Sequence, residues 1–134
     1  VCSSDLQIYE AMMVGADGKL TTGLLTALRY IKDNRLLPKG FDKATADAQV
    51  AVHGDAERDA DFNGNGDTVR YSVPTGNAQG PFHVEAELWF QPISYRWAEN
   101  LRHYDNEEAR RFNRFYDSMA QASAVRLAAA SASR

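Results

Sequence analysis

The chain has 134 residues, of which 44% are hydrophobic, so it can close one core of ordinary size and leaves little material for a second. Its 15 basic and 18 acidic residues give a formal net charge of −3, and the basic residues are scattered along the chain instead of forming a stripe that could follow phosphates. Nucleic acid is therefore not an expected partner, and no apolar run reaches the about 20 residues that a membrane-spanning helix requires.

The first six residues, VCSSDL, are unlike the rest of the chain. They are similar to the conceptual translation of the end of a sequencing adapter, so we predict an artefactual leader at 1–6 and a natural sequence that begins upstream of Gln7. A short natural leader is the alternative interpretation. Cys2 is the only cysteine, so residues 7–134 contain neither a disulfide, nor a haem-attachment CxxCH motif, nor a cysteine cluster for zinc.

The first half of the chain predicts two strands and a long polar loop. Residues 7–14 (QIYEAMMV) combine β-branched, aromatic and apolar side chains and precede a GADG turn, which indicates a strand. Residues 24–31 (LLTALRYI) fit helical spacing at three apolar positions, but the run is too short for a stable helix and we predict a strand. Residues 42–67 are small and polar, which predicts a surface excursion with one short strand at 49–53.

Two strands are predicted in the middle of the chain. Residues 68–73 (TVRYSV) alternate between apolar and polar positions, and residues 81–91 alternate over a longer stretch. One face of this second strand is apolar, with Phe82, Val84, Ala86, Leu88 and Phe90. The other face carries His83, Glu85, Glu87, Trp89 and Gln91. We predict that the apolar face points into the core, and that residues 74–80 (PTGNAQG) connect the two strands as a hairpin loop.

The last forty residues change to a helical period. Residues 94–102 predict a short helix, and Asp105 with Glu108 three residues later predicts the start of a second. An aromatic stripe follows at helical spacing, formed by Phe112, Phe115, Tyr116 and Met119. The predicted fold is mainly β, an antiparallel sandwich-like domain that lacks strands if its upstream part is missing, with a carboxy-terminal α-helix. It spans residues 7–129 as a single domain, and residues 130–134 are predicted to fray.

The 59–67 loop is the sharpest local motif. It places oxygen-bearing side chains at alternate positions with a glycine sixth, which is the spacing of calcium-binding loops. The candidate ligands are Asp59, Asp61, Asn63, Asn65 and Asp67. Arg70 stands where an EF-hand has its bidentate glutamate, and no helical pattern brackets the loop. A surface turn rich in Asp, Asn and Gly is the alternative interpretation.

Two further candidate sites lie on or near the polar face of the strand at 81–91. Trp89, Tyr95 and Trp97 could form an aromatic platform for a sugar or a partner domain, or the carboxy-terminal helices could cover them. Glu85 and Glu87 lie about 7 Å apart on one strand face, which suits paired carboxylates in glycoside hydrolysis. Alternating glutamates on a solvated face are otherwise typical of simple solubility.

Five phrases of the sequence together resemble a known family. They are QIYEAMMV, TTGLLTALRYIKDNRLLPKGFDKATA, DTVRYSV, GPFHVEAELWFQPISYRWAENL and RFNRFYDSMA. They look like the carboxy-terminal, non-haem, β-rich domain of bacterial multihaem c-type cytochrome family proteins, over most of residues 7–127.

The resemblance implies a parent protein of the periplasm or cell envelope that transfers electrons and carries haem c on CxxCH segments upstream. It transfers no haem ligand to any position here, and it implies an accessory, structural or docking role against the upstream domain of the same polypeptide. A calcium- or carbohydrate-binding β-sandwich module is the first alternative, and a fragment of a hydrolase is the second. If upstream strands are missing, we expect an open sheet edge through which the chain associates.

Overall fold

The structure is a computed structural model, and it describes residues 5–134. The first four residues of the predicted leader, including Cys2, lie outside the described residues. The chain divides into two compact units, Val1–Pro74 and Thr75–Arg134, which we describe separately. Strands hold more residues than helices and both sheets are antiparallel, so the mainly β prediction is confirmed. The single domain over residues 7–129 and the sandwich-like packing stay predictions.

The first unit contains a three-stranded sheet. Its strands are β1 (Ala11–Gly15), β2 (Leu20–Thr21) and β3 (Ala27–Asp33), and β1 lies in the centre. The predicted strands at 7–14 and 24–31 are therefore confirmed, although both are displaced toward the carboxyl terminus. A tight turn joins β1 to β2, because the Gly15 amide donates to the Lys19 carbonyl and Gly18 adopts a positive φ of 76°.

Buried amide and carboxylate groups stabilise this unit beside a small apolar core of Val14, Val52 and Phe62. The Asn34 side chain accepts from the Glu10 amide at 2.9 Å and donates to the Ile8 carbonyl at 3.1 Å, so it continues the pairing of the first segment beyond the sheet. Buried Asp33 accepts both guanidinium hydrogen bonds of Arg35, at 2.9 and 2.6 Å. That pairing raises the pKa of Arg35.

The long polar excursion of this unit is confirmed in part. Residues 49–53 form no strand, and only His53 makes a bridge, to Asp33. A 3₁₀ turn follows at Asp55–Glu57. The predicted strand at 68–73 is wrong, since these residues form no strand and are exposed. An alternating pattern describes the polarity of side chains, whereas a strand also requires a neighbouring strand as its backbone hydrogen-bonding partner. This segment has no such partner among the described residues.

The second unit contains a two-stranded ribbon and a helical hairpin. Its elements are β4 (His83–Phe90), α1 (Tyr95–Leu101), α2 (Glu107–Ser123) and β5 (Val125–Ser133). The long strand predicted at 81–91 is confirmed, but its partner is β5 and not residues 68–73. The prediction that residues 130–134 fray is wrong for residues 130–133, which belong to β5. The predicted carboxy-terminal helix is therefore followed by a strand and is not the last element. Residues 125–133 form a strand because the open edge of β4 offers them backbone hydrogen bonds, and these outweigh the weak strand preference of alanine and serine.

Both predicted helices are present. The cap of α2 is one residue later than predicted, because the Asn106 side chain accepts from the Ala109 amide at 2.8 Å whereas Asp105 pairs with Arg110. The two helices pack at small side chains, and the Arg102 guanidinium joins them by a hydrogen bond to Asp117 at 2.5 Å. That bond raises the pKa of Arg102 and lowers the pKa of Asp117. A bilayer-spanning helix, long and apolar enough to cross, is not found in residues 5–134.

The apolar face of β4 does not point into a core, so that prediction is wrong. Every residue of β4 and of β5 is exposed, with Val84 at 61% and Phe90 at 53%. A period-two pattern fixes which side chains share a face but not whether another layer covers it. Within the described residues this face is open, and both outer edges of the ribbon are unpaired.

Candidate functional site

Four of the five candidate calcium ligands in the 59–67 loop already bond to partners within the chain through their side-chain oxygens. Asp59 accepts from the Asp61 amide at 3.0 Å, and Asn63 accepts from the Asn65 amide at 2.9 Å, so both close local turns. The Asp67 carboxylate accepts from the Tyr9 hydroxyl at 2.7 Å. These bonds use oxygens that a bound cation would require.

Two cationic side chains, those of Lys43 and Arg70, already bond to oxygen atoms in or next to the 59–67 loop. The Lys43 ammonium donates to the carbonyls of Ala56, at 2.9 Å, and Asp59, and lies 5.9 Å from the centre of the Phe62 ring. Phe62 is 2% exposed and is the largest fully buried side chain of the unit. Arg70 pairs with Asp61 at 2.9 Å. The cation that the sequence places where the EF-hand glutamate would stand therefore neutralises one of the candidate ligands.

A cavity of about 390 Å³ lies beside the loop and is lined in part by Asp59, Phe62 and Asp67. One oxygen of Asp67, Oδ1, is buried and has no hydrogen-bond partner among the described residues. Burial, followed by the hydrogen bond to Asp67, raises the pKa of Tyr9 to about 12. The Tyr9 hydroxyl therefore keeps its proton, and remains a donor to this carboxylate, to a more alkaline pH than an ordinary tyrosine does.

The described part of the chain holds no group of three or more His, Cys, Asp or Glu side chains arranged for a metal ion. Amide and backbone oxygens also bind calcium, so this finding does not test the whole candidate set. The calcium loop stays a prediction. The contacts of Lys43 and Arg70, which sequence spacing alone did not indicate, favour the surface-turn alternative.

Only two of the three residues of the predicted aromatic platform line the same groove. Trp89 and Tyr95 line one groove, together with Tyr116 and Gln91, whereas Trp97 does not contribute to it. The reason is helical geometry, because residues two apart on α1 point to nearly opposite sides. Tyr116, which sequence reasoning assigned to an apolar stripe, belongs to the groove instead.

Trp89 is held by a chain of hydrogen bonds on the polar face of the ribbon. Its indole nitrogen donates to Glu87 at 2.9 Å, and the other Glu87 oxygen accepts from Arg126 at 2.8 Å. These two bonds, that from Arg126 first, lower the pKa of Glu87. A proton donor in glycoside hydrolysis has a raised pKa, so this arrangement does not suit Glu87 for that role. Glu85 pairs with His83 at 3.3 Å.

The opposite face of the ribbon is a continuous apolar surface, which we call the ribbon face. It is formed by the side chains Val84, Ala86, Leu88, Ala128, Ala130 and Ala132. Cross-strand partners share a face of a sheet, and the register pairs each of the three β4 residues with one alanine of β5. The alternation of β4 indicated half of this surface. The alanines were missed because Ala130 and Ala132 were assigned to a fraying end and Ala128 was not predicted to lie in a strand.

Comparison with known proteins identifies no relative: no family model, no curated protein and no solved structure matches this chain.

Proposed function

We propose that this chain is an accessory, non-haem module of an extracytoplasmic multihaem cytochrome-like protein, and that its ribbon face docks against the upstream domain of that polypeptide. The resemblance in sequence supports the parent, with its periplasmic or envelope location and its electron transfer. The open ribbon face supports the docking role, and it is the observation that carries the proposal.

The ribbon face is apolar and exposed, and the ribbon that carries it has only two strands, so we expect another layer to cover it. Eight residues of β4 extend over about 27 Å and two strands cover about 10 Å, so the exposed area is that of a small interaction patch. A two-stranded ribbon alone is only marginally stable in water. A covering layer would therefore contribute both the missing apolar burial and the stability of the ribbon itself.

The surroundings of the ribbon face fit a permanent contact within one polypeptide. Its apolar side chains are Val84, 61% exposed, and Leu88, 37% exposed, together with alanines, and it carries no charge. Permanent interfaces are more apolar than transient ones. The charged residues Glu85, Glu87 and Arg126 all lie on the opposite face, where they remain in water.

Recovery of the upstream reading frame from the parent DNA tests the first part. We expect CxxCH repeats there, and covalent haem on the full polypeptide after expression with the haem-attachment machinery. A complete upstream frame without CxxCH would overturn the cytochrome assignment.

Hydrogen exchange tests the docking role separately. We expect the amides of β4 and β5 to exchange quickly in the isolated chain and to be protected in the full polypeptide. Equal exchange in both would overturn docking through this face, whatever the reading frame contains. The amides of α2, which hydrogen-bond within their own helix in either case, provide the internal control.

A further inference from the structure

A groove in the second unit combines three aromatic side chains with two side-chain amides. Trp89, Tyr95 and Tyr116 supply the aromatic surface, and Gln91 and Gln121 supply the amides. Two alanines from the end of α2 and the residue after it complete the lining, to which no charged side chain of the described residues contributes. Its volume of about 460 Å³ lies within the range of about 300–1,000 Å³ that small-molecule sites occupy.

The central aromatic ring is fixed before any ligand arrives. Trp89 is 50% exposed, yet its indole nitrogen is tied to Glu87, which is in turn tied to Arg126. An exposed tryptophan normally loses side-chain entropy when a ligand orders it. Here the hydrogen bonds within the chain have already imposed much of that order, so the open ring face can stack on a ligand at a lower entropic cost.

Two donors of the groove are already used within the chain, and one acceptor beside them is free. Trp89 donates to Glu87, and the Gln91 amide nitrogen donates to the Ala120 carbonyl at 3.2 Å and to the Ser123 hydroxyl at 3.1 Å. The Gln91 carbonyl oxygen accepts no hydrogen bond from the described residues. A ligand with hydroxyl groups can donate to this free oxygen, whereas a proline-rich peptide, whose prolines lack N–H groups, brings few donors for it.

We propose that this groove binds a neutral saccharide, with a sugar ring stacked on Trp89 and its hydroxyls bonded to Gln91 and Gln121. A pyranose ring carries C–H groups on its faces and hydroxyls around its rim, which matches an aromatic platform with amides beside it. An uncharged ligand matches a lining without charged side chains, because such a lining offers a charged ligand no ion pair. The site is independent of the proposed docking through the ribbon face, since Trp89 lies on the opposite side of β4.

Titration of the whole chain with defined oligosaccharides tests this inference. The probes are cellohexaose, mannohexaose and hexa-N-acetylchitohexaose as neutral ligands, hexagalacturonate as a charged one and a proline-rich decapeptide, each followed by calorimetry. Trp89→Ala removes the platform, and Trp97→Ala is the matched control because Trp97 is 45% exposed and lies outside the groove. Gln121→Ala, an exposed position on α2, tests the polar rim without altering the ribbon.

We expect at least one neutral hexasaccharide to bind in the millimolar range or tighter, with affinity lowered about tenfold or more by Trp89→Ala and less than about twofold by Trp97→Ala. Gln121→Ala should weaken binding about threefold while leaving the circular dichroism spectrum unchanged. The inference is overturned if no neutral probe binds at about 10 mM, if the peptide or the charged sugar binds more tightly, or if both tryptophan variants lose affinity equally.

Discussion

Replacement of Tyr9 by phenylalanine tests whether a single hydrogen bond holds the 59–67 loop to the first segment of the chain. The substitution removes only the hydroxyl that donates to Asp67 at 2.7 Å. A hydrogen bond to a charged acceptor contributes about 1.5–3 kcal/mol. Because the second Asp67 oxygen is buried and already lacks a partner, the variant leaves this carboxylate without a side-chain donor. We therefore expect a loss in the upper part of that range, about 2–3 kcal/mol.

Urea unfolding followed by circular dichroism measures this loss. The midpoint should fall while the slope stays constant, and the melting temperature should fall by roughly 6–12 °C for a chain of this length. Tyr104→Phe is the matched control, because Tyr104 is 54% exposed and its hydroxyl has no hydrogen bond among the described residues. Equal midpoints for wild type and Tyr9→Phe, or an equal loss in both variants, would refute the reasoning.

The pH dependence of the same pair of proteins provides an independent check. The pKa of Tyr9 is raised from 10.0 to about 12, first by burial and then by the bond to Asp67. The folded chain therefore keeps a proton that the unfolded chain loses above pH 10, so the stabilisation is complete below pH 10 and is lost as the pH rises toward 12. Phenylalanine does not titrate, and the difference between wild type and variant should shrink across this window. A difference that stays constant from pH 9 to about pH 12 would contradict the assignment of the donor.

Three further outcomes follow from the contacts described above. Lys43→Met should lower the free energy of unfolding by about 1.5–3 kcal/mol in urea melts, since it leaves two carbonyls without their charged donor, whereas exposed Lys39→Met should change it by less than about 0.5 kcal/mol. Calcium at millimolar concentration should leave the melting temperature unchanged, because Lys43 and Arg70 already serve the loop; a clear rise would establish a calcium site. Because the ribbon face is uncovered in the isolated chain, we expect that chain to self-associate through it. Val84→Lys should then reduce self-association in sedimentation velocity, whereas Glu85→Lys on the opposite face should not; equal effects of the two would count against the ribbon face as the contact surface.

The sequence predicted elements better than it predicted their neighbours. Alternation over 81–91 identified β4, and helical spacing identified both helices, because those signals are local. The partner of β4 could not be found this way: β5 consists largely of alanine and serine, whose weak strand preference is overcome only by the free edge beside it. The predicted burial of Val84 and Leu88 was wrong for a related reason, since a side-chain pattern records a preference and not the presence of a covering layer.

The candidate sites show the same limit. Oxygens at alternate positions in the 59–67 loop were visible in the sequence, but Lys43 and Tyr9 approach that loop from 16 and 58 residues away. No spacing rule reaches over such distances. The groove was half predicted, because Trp89 and Tyr95 were named as candidates for an aromatic platform, while the exclusion of Trp97 followed only from the rotation of α1.

The pairing of large with small side chains across the ribbon gives its apolar face a step. Val84 and Leu88 stand on one strand, on either side of Ala86, and only alanines lie opposite them on the other, so the surface is raised at two points on the β4 side and low along the β5 side. An element that packs well on this face must therefore have large side chains over the alanines of β5 and small side chains over β4. The two sides of such a covering element are not interchangeable. If the element were rotated by half a turn, it would leave gaps over the alanines of β5 and clash with Val84 and Leu88 of β4.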